Sequence, residues 1–309
     1  MKNYAANNIR NFALVGHGSS GKTMLSESML YKSGEINRLG SIEGGSTVSD
    51  YHHDEHNRQI SIHSSPLHLE WNETKFNLID TPGYLDFIGE TISSLAVVDS
   101  AIIVIHAVNG VEVGTEQVWN YASDFGLPKT LVINGLDREN TKFDTILNQA
   151  KDHFGSNVFP MQLPVNAGPG FNQIVDVLRS ELITYSTDGS GKYKEEDLPD
   201  KWKGQVKELH QELIEYVAES DDSLLEKFFD QGNLSEEEMR EGLHQAIQNQ
   251  ILIPLFCTSA NLNIGAATPI NEILPYLEKI YPNFVKMFLR YGSEQIRNVA
   301  SIGTLGVQT

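Results

Sequence analysis

Across 309 residues the chain carries 23 Lys plus Arg against 41 Asp plus Glu, a net charge of −18. This excludes attraction of the whole surface to nucleic acid or to an anionic membrane, so contact with RNA has to be local and direct sequence-specific recognition of nucleic acid is not expected. One cysteine, Cys257, excludes an internal disulfide and a cysteine-built metal centre, and it should pack as a small apolar residue. No run of about 18 apolar residues is present, and Met1-Lys-Asn-Tyr-Ala-Ala-Asn-Asn lacks the apolar core of a secretory signal. A cytoplasmic protein without membrane contact is therefore predicted, expected to be monomeric.

The first apolar run, Phe12–Val15, leads directly into Gly16-His-Gly-Ser-Ser-Gly-Lys-Thr23, a complete G-x-x-x-x-G-K-[ST] phosphate loop. Gly16 and Gly21 permit the backbone angles that turn successive N–H groups toward phosphate, and Lys22 brings a positive charge to the β and γ oxygens. Thr23 offers a hydroxyl to Mg²⁺, and the following helix points its positive end at the anion. The stretch His17-Gly18-Ser19-Ser20-Gly21-Lys22-Thr23 is thus the expected grip on a nucleoside triphosphate.

Next come His52, His53 and His56, an H-H-x-x-H cluster with no further ligand at a fixed spacing, read as exposed histidines rather than a metal site. The strand Phe76–Ile79 ends in Asp80-Thr-Pro-Gly83. An aspartate there can reach Mg²⁺ through its water shell, and the Gly83 N–H can report whether a γ-phosphate is present. After Ala101–Ile105 and Thr130–Ile133, the motif Asn134-Gly-Leu-Asp137 stands where guanine-binding proteins carry N-K-x-D. A carboxylate at 137 accepts from both N1–H and the exocyclic amine of guanine; adenine lacks that amine, so GTP is favoured over ATP. Gly135 replaces the lysine whose stem usually covers the base, a loss worth about 1–2 kcal/mol, or roughly tenfold in affinity.

From roughly residue 162 to 250 the rhythm changes, and between Tyr185 and Gln245 there are 17 acidic against 7 basic residues. Val206, Leu209, Leu213, Tyr216 and Val217 predict an amphipathic helix. Ser235 with Glu238 predicts a capping box opening a helix near Ser235–Asn249, and Asp188-Gly-Ser-Gly191 a tight turn between extended pieces. Charge pattern alone reads the acidic face as solvated surface. A last strand, Ile251–Phe256, precedes Thr258-Ser-Ala-Asn261. Trp71, Trp119 and Trp202 lack a basic stripe and are read as packing rather than base-stacking residues. The pattern predicts a doubly wound α/β fold with a mostly parallel sheet. Residues 1–161 and 251–283 would form the nucleotide domain, 162–250 an inserted small acidic α/β subdomain, and 284–309 an atypical tail.

Gly16–Thr23, Asp80-Thr-Pro-Gly-Tyr-Leu-Asp-Phe87, Val108-Asn-Gly-Val-Glu-Val-Gly-Thr-Glu116, Asn134-Gly-Leu-Asp-Arg138 and Phe159-Pro-Met-Gln-Leu-Pro164 together resemble, in order, the signatures of translation elongation factor G in its N-terminal GTP-binding domain. The likeness runs from about Asn8 to Pro282. It implies a GTPase switch that hydrolyses GTP to GDP on the ribosome during elongation, with stalk proteins and the factor-binding centre as partners. It places a first switch at Gly34–Ile62, with Ser61 where a threonine meets Mg²⁺, and a second from Asp80 to Glu90. It also implies that Ala260 gives its N–H to guanine O6 beside Ser259. Lys22, Gly83 and Tyr84 become the residues expected to act in hydrolysis, and Thr23, Ser61 and Asp80 those expected to serve the metal.

Besides Gly135 and Ser61, three further positions depart from the family. Its phosphate-loop aspartate is Ser19, its Gly-Ile-Thr begins with Gln59, and its water-positioning histidine is Tyr84, which can orient water but cannot carry the charge of an imidazolium. Slow intrinsic hydrolysis is expected. Elongation factor G also continues past Tyr281-Pro-Asn283 into four further domains, including a mimic of transfer RNA, whereas Phe284–Thr309 reads as a helix near Phe284–Tyr291 and a tail. A truncated product, a fragment and a free-standing domain all remain open. So do three functions: a ribosome-dependent GTPase, a guanine-nucleotide-binding module on the ribosome with little turnover, and an ATP-dependent phosphate-loop enzyme, against which Asp137 and Ser259-Ala260 argue.

Overall fold

A computed structural model describes residues 4–266; the expected helix near Phe284–Tyr291 and the tail lie outside them. Strand β1 (Ile9–Val15) enters the phosphate loop and helix α1 (Lys22–Ser33). A long connection holding the short helix α2 (His53–Arg58) leads to β2 (Ser65–Trp71) and β3 (Thr74–Asp80). Helix α3 (Ile88–Leu95), β4 (Ser100–His106), α4 (Val113–Asp124), β5 (Lys129–Asn134), α5 (Phe143–Phe154) and β6 (Val158–Pro160) follow. Four short strands come next: β7 (Gln162–Pro164), β8 (Gln173–Asp176), β9 (Glu181–Tyr185) and β10 (Tyr193–Asp197). Helices α6 (Asp200–Ala218), α7 (Asp222–Gln231) and α8 (Glu236–Gln248) then return the chain to β11 (Ile253–Thr258).

The seven strands β2-β3-β1-β4-β5-β11-β6 form one sheet, parallel throughout except for the β2–β3 pair. The reason is in the runs themselves. Ile102-Ile103-Val104-Ile105 and Leu131-Val132-Ile133 are buried on both faces, which only a sheet covered by helices on either side provides. All five strands expected from such runs are present, each with slightly shifted ends. Parallel order sends the carboxyl ends of β1, β3, β4, β5 and β11 to one edge, where an open α/β sheet collects its ligand-binding loops.

Strands β10-β9-β8-β7 form a separate antiparallel sheet, and the expected turn at Asp188–Gly191 joins β9 to β10. Val206, Leu213 and Val217 of α6 are buried as their spacing predicts, and Ser235 caps α8 with Glu238 closing the box. The two sheets share one continuous apolar core. Buried Gln162 stitches them, its Oε1 accepting from Cys257 N at 3.1 Å, and Cys257 packs fully buried in β11 as expected. Trp119 stacks on Phe154 with ring centroids 4.3 Å apart, a packing role rather than a platform for bases. Among the described residues no helix is long and apolar enough to cross a membrane.

Candidate nucleotide site

The loops at the carboxyl edge enclose a cleft with two lobes. One is lined by Asn134, Gly135, Asp137, Arg138, Ala260 and His106, the other by Gly18, Lys22, Thr23, Asp50, Ser61 and Tyr84. Ile42 and Glu43 border both.

In the second lobe the phosphate loop takes the backbone that its glycines foretell. Gly16 has φ +148° and Gly21 φ +91°, and a Cβ on Gly16 would run into the Val104 carbonyl. Ser19 sits at φ +63°, left-handed although it is not glycine. Ser20 Oγ and His17 Nδ1 are buried without a hydrogen-bond partner among the described residues. Lys22 is buried and donates to the carbonyls of Gly16 at 3.1 Å and His17 at 3.0 Å. Two of its three protons are thus spent on the loop, which leaves one for an anion. Burial lowers its pKa to about 8, against the opposing pull of Asp80 and Asp50.

Thr23 and Ser61, expected to meet at a metal, do meet: their hydroxyl oxygens are 3.0 Å apart. Asp80 lies buried beside them. Its Oδ2 accepts from Ser26 Oγ at 3.3 Å, and its Oδ1 has no hydrogen-bond partner among the described residues. Burial pushes the Asp80 carboxyl up to about 6, with neighbouring Ser49 and Lys22 opposing. Asp50, which sequence reasoning missed, faces the Ser61 hydroxyl, and burial raises its carboxyl too. Two hydroxyls and two carboxylates, one with an orphaned buried oxygen, form the hard-oxygen donor set that suits Mg²⁺.

Ser61 is held by backbone contacts that no motif announces. Buried Glu55 Oε1 accepts the amides of Ile62 and His63, each at 3.0 Å. Buried Glu27, on α1, accepts those of Gly40 at 2.8 Å and Val48 at 3.0 Å. The histidine cluster is dispersed by the same folding. His56 Nε2 lies 2.6 Å from Asp50 O and His53 Nδ1 lies 2.9 Å from Asn57 Nδ2, while His52 joins Asp54 and His63 at the exposed surface. His63 Nε2 and Asp54 Oδ2 there are 3.9 Å apart.

Gly83 comes so close to the phosphate loop that a Cβ on it would lie 2.7 Å from Gly18 N and 2.8 Å from Gly18 Cα. The next residue, Tyr84, lays its ring over Gly18, where a Cβ would meet the ring carbon bearing the hydroxyl at 3.2 Å.

In the first lobe Ser259 Oγ donates to Asp137 Oδ1 at 2.6 Å and aims the carboxylate. Asn134 ties three loops together: its Nδ2 donates to Ser20 O at 3.0 Å, and its Oδ1 accepts from Thr258 Oγ1 at 3.1 Å and Ala260 N at 2.9 Å. The Ala260 amide, expected for guanine O6, is therefore engaged by Asn134, and a base oxygen would have to share it. His106 was not foreseen. Its Nδ1 faces the amides of Val108 and Asn109 at 3.2 and 3.3 Å, and burial, with the Arg138 cation, holds its pKa below the usual range.

The family model described as elongation factor Tu GTP binding domain matches residues 7–283. Among solved structures, a protein of Thermus thermophilus superposes with a TM-score of 0.82 at 31% sequence identity, over 88% of this chain and 40% of that one. The chain spans about two fifths of the length of that protein.

Proposed function

Because the chain belongs to the elongation factor Tu GTP-binding domain family, the GTP-binding domains of translational GTPases, we propose that it is a guanine-nucleotide switch of the elongation factor G kind, hydrolysing GTP to GDP in a ribosome-dependent cycle. One observation carries this most: the Thr23 and Ser61 hydroxyls, 3.0 Å apart, stand beside the orphaned Oδ1 of Asp80 at the foot of the phosphate-loop helix. In this reading Lys22 and the amides of Gly18 to Lys22 bind the phosphates, and the Gly83 amide senses the third. Thr23 and Ser61 ligate Mg²⁺ and Asp80 reaches it through water, while the ion, when bound, neutralises charge on the phosphate oxygens. Asp137, aimed by Ser259, selects guanine at its N1–H and amine. Asn134 and Ala260 complete the base lobe. Residues 1–161 and 251–283 make up the nucleotide domain and 162–250 its inserted acidic subdomain, in a cytoplasmic protein whose partner is the ribosome.

The test is phosphate release under multiple turnover, with and without ribosomes; release that ribosomes do not accelerate would remove the ribosome-dependent cycle. Thermal stabilisation by GDP but not ADP checks the base preference. A second reading, a ribosome-associated binding module with little turnover, is favoured by Tyr84, whose hydroxyl can align water without carrying charge. If Tyr84 limits the chemistry, Tyr84→His raises the single-turnover rate on ribosomes roughly tenfold or more, within the range of general-acid–base effects. A variant no faster than the parent sinks that idea.

A further inference from the structure

We propose that Arg138 covers one face of the guanine base, in place of the lysine that Gly135 does not supply. The inference rests on the reading of the Asn134–Asp137 lobe as a guanine site. Gly135 has φ +87°, and a Cβ built on it would point at the Arg138 side chain, 3.4 Å from Nε, 3.5 Å from Cδ and 3.8 Å from Cγ. The space that a side chain at 135 would enter is therefore filled from three residues along the chain. The turn holds it there, with Arg138 N donating to Gly135 O at 3.1 Å.

Arg138 also lines the same lobe as Asn134, Gly135 and Asp137. No carboxylate among the described residues forms an ion pair with it, so no salt bridge draws the guanidinium away from this lobe. A planar, weakly hydrated guanidinium and its three-carbon stem are well matched to the face of an aromatic ring. Asp137 would then read the edge of the base and Arg138 its face. The glycine that sequence reasoning took as a loss of affinity becomes the gap that admits the arginine.

Isothermal titration with GDP and with inorganic pyrophosphate tests this in the parent, Arg138→Ala and Arg138→Met. Arg138→Ala should weaken GDP about tenfold, the scale of a lost base–side-chain stacking contact, and leave pyrophosphate unchanged. Arg138→Met keeps an unbranched stem without charge and should lose less than about threefold. Melting temperatures without nucleotide should agree across the three. Arg138→Ala binding GDP as tightly as the parent overturns the proposal. So does an equal loss in both variants accompanied by weaker pyrophosphate, the mark of a charge acting on phosphate. If Arg138→Ala does not fold, Arg138→Met decides alone, since a loss of tenfold or more there overturns the covering role. A parent that does not bind GDP overturns the guanine reading, and this inference with it.

Discussion

The carboxyl edge of the large sheet and the acidic stretch over Tyr185–Gln245 handle charge in opposite ways. At the edge, Lys22, Asp50, Asp80, Glu27 and Glu55 are all buried, each facing backbone groups, hydroxyls or one another across the cleft. In the acidic stretch, Glu196 pairs with Lys194, Asp200 with Lys203 and Glu238 with Lys227 at the surface, where water screens them. The stretch holds most of the protein's excess negative charge, yet that charge costs the fold little. Burying a few ionised groups costs far more, and a fold keeps such groups where a ligand offsets the cost. Net charge locates acidity; burial locates chemistry.

The largest effect expected from breaking this contrast belongs to Lys22. Lys22→Ala should weaken GDP and GTP by on the order of a hundredfold, since in the proposed reading it removes the cation that binds the phosphates. Titration calorimetry reads this, and binding within threefold of the parent would remove Lys22 from the site.

Asp80 gives the second test. Its folded carboxyl stands at about 6 against an ordinary 3.8, so the native state binds the proton more tightly than the unfolded chain does. Native stability therefore falls as pH rises from about 4 to about 6, by about 2–3 kcal/mol in full. Asp80→Asn should abolish this fall, so the nucleotide-free variant melts above the parent at about pH 7.5 and level with it at about pH 4. The same variant should lose the strengthening of nucleotide binding by Mg²⁺. A variant that melts below the parent at the higher pH refutes the stored cost.

The smallest effect sharpens the contrast from the other side. Glu238, held down to about 2 chiefly by Lys227, has the more conspicuous shift but an exposed setting. Glutamine at this position preserves the capping box with Ser235, so Glu238→Gln should leave both the thermal midpoint and GDP affinity unchanged within error. A GDP affinity altered more than about twofold would show that the acidic region is coupled to the cleft.

How far the sequence could be read follows the same division. The five buried runs announced their strands because a parallel sheet needs continuous apolar segments. The edge strand β2 did not, since Ser65-Pro-Leu-His-Leu-Glu-Trp71 carries a proline and mixes polar with apolar residues. Strands β7 to β10 are three to five residues each, too short for periodicity to register, although the glycine turn between the last two was plain. Helices α6 and α8 were visible from spacing and cap; α7, opened by Asp221, was missed. In the cleft, residues that belong to contiguous motifs were legible, and the structure brings Thr23, Ser61, Lys22 and Asp80 together. Asp50, Glu55 and His106 were not, because each acts through a neighbour that only folding supplies, and Arg138 was legible only as the end of the Asn134–Arg138 motif.

Asn134 joins the two lobes more tightly than a base-reading residue needs to. Its carboxamide holds Ser20 of the phosphate loop with one end and Thr258 with Ala260 after β11 with the other. One side chain thus fastens the phosphate loop to the loop after β11, so a shift of either loop is expected to disturb the other. If the cleft holds a nucleotide as proposed, its phosphate end and its base end are expected to be released together.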